Sequence, residues 1–338
     1  MTAGVNPRKI ASWVLSLLVS GVLLYYSLRG VNWAGVWRTI VAAQWQYLVA
    51  SAGITVGSFL FRSIRWRILL NAEGHFDIGT VFWANMAGYL GNNFLPARAG
   101  ELLRSVLISS RSKLSKTYVL TTALSERLMD VIALVLGASV VLLTVNPKPR
   151  WMEDLSRTMA IVAALGAVAI MVLPHTGTLL ETLMTRVPMP AGLRKTMMKL
   201  AEQVLLGMRA FHDWGRFAGF VFLTVAIWGA DSAGAIVAAR GLGLHLSFGV
   251  ALLLLTGMGL GSALPSTPGY VGVYQFVAVT ILTPFGIKRD AALAYILVIQ
   301  AAGYVVVTLF GLAGLYRLQG GSLRWVTGRA PVVDRGAL

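Results

Sequence analysis

Apolar runs of membrane length recur along this chain and limit its fold more than any other feature. Ile10–Leu28, Trp45–Phe61, Tyr118–Val145, Met159–Leu173, Phe217–Ala239 and Ala291–Tyr316 each approach the length at which a helix crosses a hydrocarbon core. In lipid every backbone polar group needs an internal partner, so these runs predict helices and about six full spans. Two further runs are interrupted. Thr80–Pro96 ends on a proline, and Phe248–Phe285 is broken midway by Pro265 and Pro268. At 57% hydrophobic and 12% charged residues, the 338-residue chain has too little polar surface for an ordinary soluble domain. The run after MTAGVNPRKI lacks a small-residue cleavage site and is read as a retained first span.

The formal charge of +16 raises the question of nucleic acid, but no soluble segment is long enough for such a domain. Basic loops against an anionic leaflet account for it instead. With the N-terminus inside and Thr80–Pro96 dipping in and returning, twenty of the 29 Lys and Arg fall on the inner side. This count includes Arg62 to Arg67 and Arg98 to Lys116 as inner segments. A full crossing at Thr80–Pro96 would invert every later loop, so the charges predict a re-entrant segment. By the same accounting Phe248–Phe285 enters and returns from outside. Both termini are expected in the cytoplasm, and the host membrane is read as a bacterial or archaeal inner membrane.

The two interrupted runs echo each other. GYLGNNFLPARAG and GMGLGSALPSTPG share Gly-x7-Pro-x3-Gly, as Gly88, Pro96, Gly100 and Gly257, Pro265, Gly269, 169 residues apart. Opposed re-entrant segments with matching breaks predict an inverted repeat. The expected fold is therefore an all-α polytopic membrane protein, with about six spans plus two re-entrant or broken-helix hairpins. It reads as one transmembrane domain over 1–338, with pseudo-repeats of about 1–173 and 174–316 and a basic tail 317–338.

Residues of real chemical reach sit in GNNFLPARAGELLR, residues 91–104. Pro96 prevents smooth continuation of a helix, and Gly100 permits close backbone approach. Asn92 and Asn93 can satisfy the freed peptide groups. A helix starting near Gly100 would aim free N–H groups into the break, where a phosphate can bind with Arg98 and Arg104. Glu101 shares that turn. The alternative is that the arginines only anchor the interface by snorkelling, the reading preferred for Arg111, Lys113 and Lys116.

In TALSERLMD, Glu126 and Asp130 lie four apart on one helical face inside a span, and Arg127 lies three before Asp130. Two carboxylates so close require a shared proton or a cation between them, supplied by Arg127, or by Arg98 or Arg104 reaching across. The cluster is either a structural ion-pair clamp or part of a gate. Asp231, beside Trp228 and Ser232, is the other mid-span acid. The second break carries only neutral groups, Tyr270, Tyr274 and Gln275, and suits a gate or neutral headgroup contacts. Gln300 lies in the last span. Dispersed histidines, the absence of Cys and the absence of a P-loop, GxSxG or HExxH point to no metal, cofactor or catalytic centre.

Three ordered motifs carry a family resemblance. Asn93, Leu95, Pro96, Arg98, Gly100, Glu101 and Arg104 form the first; Ser125, Glu126, Arg127 and Asp130 the second; Leu264, Pro265, Pro268, Gly269 and Gly272 the third. Together they resemble the lysylphosphatidylglycerol synthase transmembrane region over nearly the whole chain. The resemblance implies a flippase-like membrane protein. In the name-giving members this region translocates an aminoacylated phospholipid made by a fused synthase domain. That domain is not expected here, because the chain runs only about twenty residues past its last predicted span. Gln275 stands where many relatives carry Glu, and Gln300 near a position often held by Arg. The headgroup is therefore open: an anionic phospholipid or an isoprenoid-type lipid. The alternatives are a membrane-embedded headgroup transferase or hydrolase using Glu126 or Asp130 as base, and a partner of a separate lipid-modifying or glycosyltransferase enzyme.

Overall fold

The computed structural model describes residues 7–95, 99–144, 153–154, 157–162, 164–165, 168, 213–264 and 266–318. Every regular element among them is helical. α1 (Pro7–Leu28) turns at Gly30 into the short α2 (Trp33–Val41), capped by the Asn32 side chain. α3 (Trp45–Leu70) leads to the first hairpin, α4 (Ile78–Phe94) and α5 (Gly100–Ser109). α6 (Lys116–Thr144) ends the first half. α7 (Trp214–Gly241) precedes the second hairpin, α8 (Phe248–Gly261) and α9 (Val273–Leu282), joined through a 3-10 turn at Pro268–Tyr270. α10 (Arg289–Leu318) closes the described chain.

The expectation of six full spans is met in part. Among the described residues, three helices are long and apolar enough to cross a membrane: α3, α7 and α10. The bent pair Val14–Leu28 and Trp33–Val41, kinked by 86°, would add a fourth. α6 is equally long but carries Glu126, Arg127 and Asp130. Most of Met159–Leu173 lies outside the described residues, as do Pro96, Arg98 and Pro265. The connection after the first helix, which no predicted span covers, contains α2, which packs on α10.

Both hairpins fold tightly because small residues line their seams. A Cβ on Gly100 would run into the Gly88 carbonyl and the Asn92 backbone, and one on Gly91 would meet the Gly100 Cα. In the second hairpin, a Cβ on Gly257 would meet Val277 and Ile281. α3 packs most extensively on α7, and α4 on α10, where Gly311 and Gly314 face α4. The 3-10 turn of the second hairpin also touches α4.

Burial is inverted relative to a soluble protein. On α6 Leu124, Leu128, Val140 and Leu143 are exposed, while Glu126 and Asp130 are buried. Phe222 and Val225 of α7 and Leu309 of α10 likewise face outward. An apolar exterior around a charged interior is stable only when lipid, not water, covers the outside.

Candidate functional site

The buried charges gather where α3, α5, α6 and α7 meet. Arg62 and Arg65 sit three apart on one face of α3, and Glu126 and Asp130 four apart on one face of α6. Arg65 has no solvent exposure. Its Nη1 donates to Asp130 Oδ1 at 2.6 Å, and its Nη2 donates to Asp130 Oδ2 and to Glu126 Oε1, both at 2.9 Å. Its Nη1 also donates to Thr224 on α7 at 3.0 Å. One planar guanidinium thus holds both carboxylates, which a lysine could not do.

The pairing continues in both directions. Arg62 Nη2 donates to Asp231 on α7 at 2.5 Å, and its Nη1 lies 3.8 Å from Asp130. Arg104 Nη1 donates to Glu126 Oε2 at 3.1 Å and to Asn85 Oδ1 on α4 at 2.7 Å. Arg104 also pairs with Glu101, which accepts from Arg127 Nε at 3.0 Å. Read end to end, Asp231, Arg62, Asp130, Arg65, Glu126, Arg104, Glu101 and Arg127 alternate in sign. Four cations balance four anions, which lets so many ions sit away from water without net charge. Aromatic rings cover the guanidinium faces: Trp66 lies 4.5 Å from Arg104, Phe220 4.9 Å from Arg65 and Trp228 5.0 Å from Arg62.

Several sequence expectations meet this geometry. Glu126 and Asp130 do share a cluster, and Arg104 reaches Glu126 from the first hairpin. Arg127 does not bridge to Asp130. It turns toward Glu101 and Tyr89, leaving Asp130 to Arg65 and Arg62. Arg62 and Arg65 were missed, having been counted as inner loop charges. α3 runs on to Leu70 and draws both inside, so they and the buried Arg104 leave the inner-loop count. Their signal was present: the apolar pattern resumes at Trp66, Ile68, Leu69 and Leu70, placing the arginines on a continuing helix. Asp231 joins the charged cluster through Arg62. Asn93 sits near the open end of α4, half-buried. The placement of Pro96, Arg98 and Pro265 falls outside the described residues.

The second hairpin gathers the neutral residues. Gln275 Oε1 accepts from the Gly272 amide at 2.7 Å, and its Nε2 donates to Gln300 Oε1 at 2.6 Å. Gln300 Nε2 donates to the Gly269 carbonyl at 2.7 Å and to Tyr304 at 3.0 Å. Tyr270 stacks on Tyr274 with ring centres 4.9 Å apart. Thr267 ties this turn to Ser20 on α1, its amide donating at 2.9 Å.

A family model of the lysylphosphatidylglycerol synthase TM region matches residues 13–311. The chain belongs to that family. With its apolar helices, membership makes it a multi-pass membrane protein. The chain is also similar to the glycosyltransferase AglD of Haloferax volcanii, 25% identical over 300 residues, covering 79% of this chain and 48% of that protein. It thus spans about half the length of this curated relative. In this member of the family, all three motifs border the geometry above: the first supplies Glu101 and Arg104, the second Glu126, Arg127 and Asp130, the third Gly269 and Gly272.

Proposed function

We propose that the chain is a lipid flippase or transporter that moves an anionic phospholipid or isoprenoid-type lipid between leaflets. The observation that carries this reading is the neutral, alternating ion chain that ends at the first hairpin. A purely structural clamp would need one or two pairs. This one runs from α7 through α3, α6 and α5, and its last cation, Arg127, is over one-third exposed. An anionic headgroup can exchange into such a chain without leaving a bare charge in lipid.

The finer architecture proposed is an inverted repeat with both termini in the cytoplasm of an inner membrane, over the single domain read from the sequence. Neighbour relations support it. α3–α4 matches α7–α8, α4–α5 matches α8–α9, α5–α6 matches α9–α10, and α4 against α10 matches α8 against α6. Trp45 and Trp214, which open α3 and α7, stand 169 residues apart, the separation of the two breaks. Arg62 and Asp231 are also 169 apart and pair with each other. That is where equivalent residues meet if a pseudo-two-fold axis passes between α3 and α7. Single cysteines introduced at Arg38 and Lys113, both exposed, should label from opposite sides. Labelling of both from outside would overturn the topology.

The test of function is transbilayer movement of fluorescent phosphatidylglycerol and of a polyprenyl-phosphosugar, measured in vesicles containing the purified chain. Movement of neither lipid would refute the reading. The name of the AglD relative favours a second possibility, that the chain transfers a headgroup or assists a separate glycosyltransferase. Formation of a glycosylated or cleaved lipid by the purified chain would favour it.

A further inference from the structure

We infer that Glu101 is a resident counter-anion occupying a phosphate seat between Arg104 and Arg127, and that a headgroup displaces it only by bringing a single negative charge. The ligand class rests on the lipid-transport reading above; the seat rests on geometry. Glu101 Oε1 accepts from Arg127 Nε at 3.0 Å and from Asn92 Nδ2 at 3.4 Å. Its Oε2 is ion-paired with Arg104 Nη2. Arg104 is 1% exposed, and its Nε finds no hydrogen-bond partner among the described residues. A planar carboxylate with two oxygens cannot meet this array of donors. A tetrahedral phosphate with more oxygens can.

Position and charge make the exchange workable. Glu101 and Arg127 form the open end of the ion chain, whereas Arg65, Glu126 and Asp130 are deep. Releasing Glu101 outward leaves every interior pair intact. The chain with Glu101 in place is neutral, so replacing its one charge by another single charge keeps it neutral. A phosphodiester carries one negative charge. A phosphomonoester carries about 1.5 to 2 at pH 7 and would leave an excess in a low-dielectric site, which is costly. The seat thus discriminates by charge as well as by shape.

Binding to the full-length chain in phosphatidylcholine nanodiscs tests this, with short-chain phosphatidylglycerol and short-chain phosphatidic acid titrated by calorimetry at pH 7.5. Wild type should bind phosphatidylglycerol more tightly than phosphatidic acid. If Glu101 fills the seat about nine-tenths of the time, Glu101→Gln should tighten phosphatidylglycerol binding about tenfold. Arg127→Gln should weaken it. Glu101→Asp, which keeps the charge but shortens the reach, should tighten binding to a smaller extent and serves if Glu101→Gln fails to fold. Equal or weaker phosphatidylglycerol binding in the folded Glu101 variants, or phosphatidic acid binding as tight as phosphatidylglycerol, would overturn the seat. Tightened binding without lipid movement in vesicles would leave the seat standing and refute transport. Lipid movement with unaltered binding in Glu101→Gln would do the reverse.

Discussion

The first hairpin carries Asn85, Glu101 and Arg104 into a network whose ions lie on four helices, whereas the second holds Gln275 against Gln300 and Tyr304 in a local network of amides and hydroxyls. Both turn on glycine, and the 3-10 turn of the second packs on α4 of the first. The difference lies in what it costs to open them. Removing one partner from a buried ion pair leaves a bare charge, which costs several kcal/mol. Breaking a neutral hydrogen bond costs about 1 kcal/mol net. The charged hairpin therefore suits a permanent seat, and the neutral one suits the part that opens and closes.

The largest effect should come from Arg65→Ala, which strands Glu126 and Asp130 together. A loss of about 3–5 kcal/mol is expected, read as thermal unfolding in nanodiscs. Asp130→Asn should destabilise less yet still abolish lipid movement. If Arg65→Ala costs no more than Gln300→Ala, the contrast between the hairpins disappears.

Next comes Gly269→Ala. Gly269 has φ +77°, and a Cβ there would strike the Tyr304 ring and hydroxyl. Left-handed strain of about 1–2 kcal/mol combines with overpacking of about 1–3 kcal/mol. Gly286→Ala supplies the control, because its φ is +84° but open space surrounds it. Only the strain cost should appear there. Equal losses at both positions would show that the Tyr304 contact does not matter to the turn.

A smaller change is expected for Gln275→Glu, about 1–3 kcal/mol, since the donor to Gln300 is lost while the acceptor for Gly272 remains. Stability unchanged by this substitution would mean the amide network is not holding the second break. Asp77→Ala, outside both knots, should cost about 1 kcal/mol through its N-cap. The Thr80 hydroxyl and amide hold the Asp77 carboxyl below the usual aspartate range. Its contribution is therefore present above about pH 4 and lost as pH falls through the lowered value. Unfolding curves of wild type and Asp77→Ala should converge in acid.

Much of this was legible in the chain. Period, length and the Gly-Pro breaks located the described long helices to within a few residues, because lipid leaves the backbone few choices; the exception is α3, which runs on from the predicted Phe61 to Leu70. Glu126 and Asp130 stood out because ionisable groups inside an apolar run are expensive, and Arg104 because it follows the Pro96 break, with snorkelling as its alternative reading. Arg62 and Arg65 escaped because they stand at the end of a run, where a snorkelling loop arginine and a buried one look alike. Only the partner decides between them, and Asp130 lies 65 residues away from Arg65. The α2 helix escaped because nine residues are too few to show a period against the turn before it.

The pair between Arg62 and Asp231 carries a historical implication. Suppose the two halves descend from one gene whose product assembled as a symmetric pair. At the axis each residue would then have faced its own copy, and two arginines or two aspartates would have repelled. A cation facing an anion there is open only to halves free to mutate separately. Once they were fused, that one contact would have favoured the joined partner over a stray duplicate, making the covalent link hard to undo.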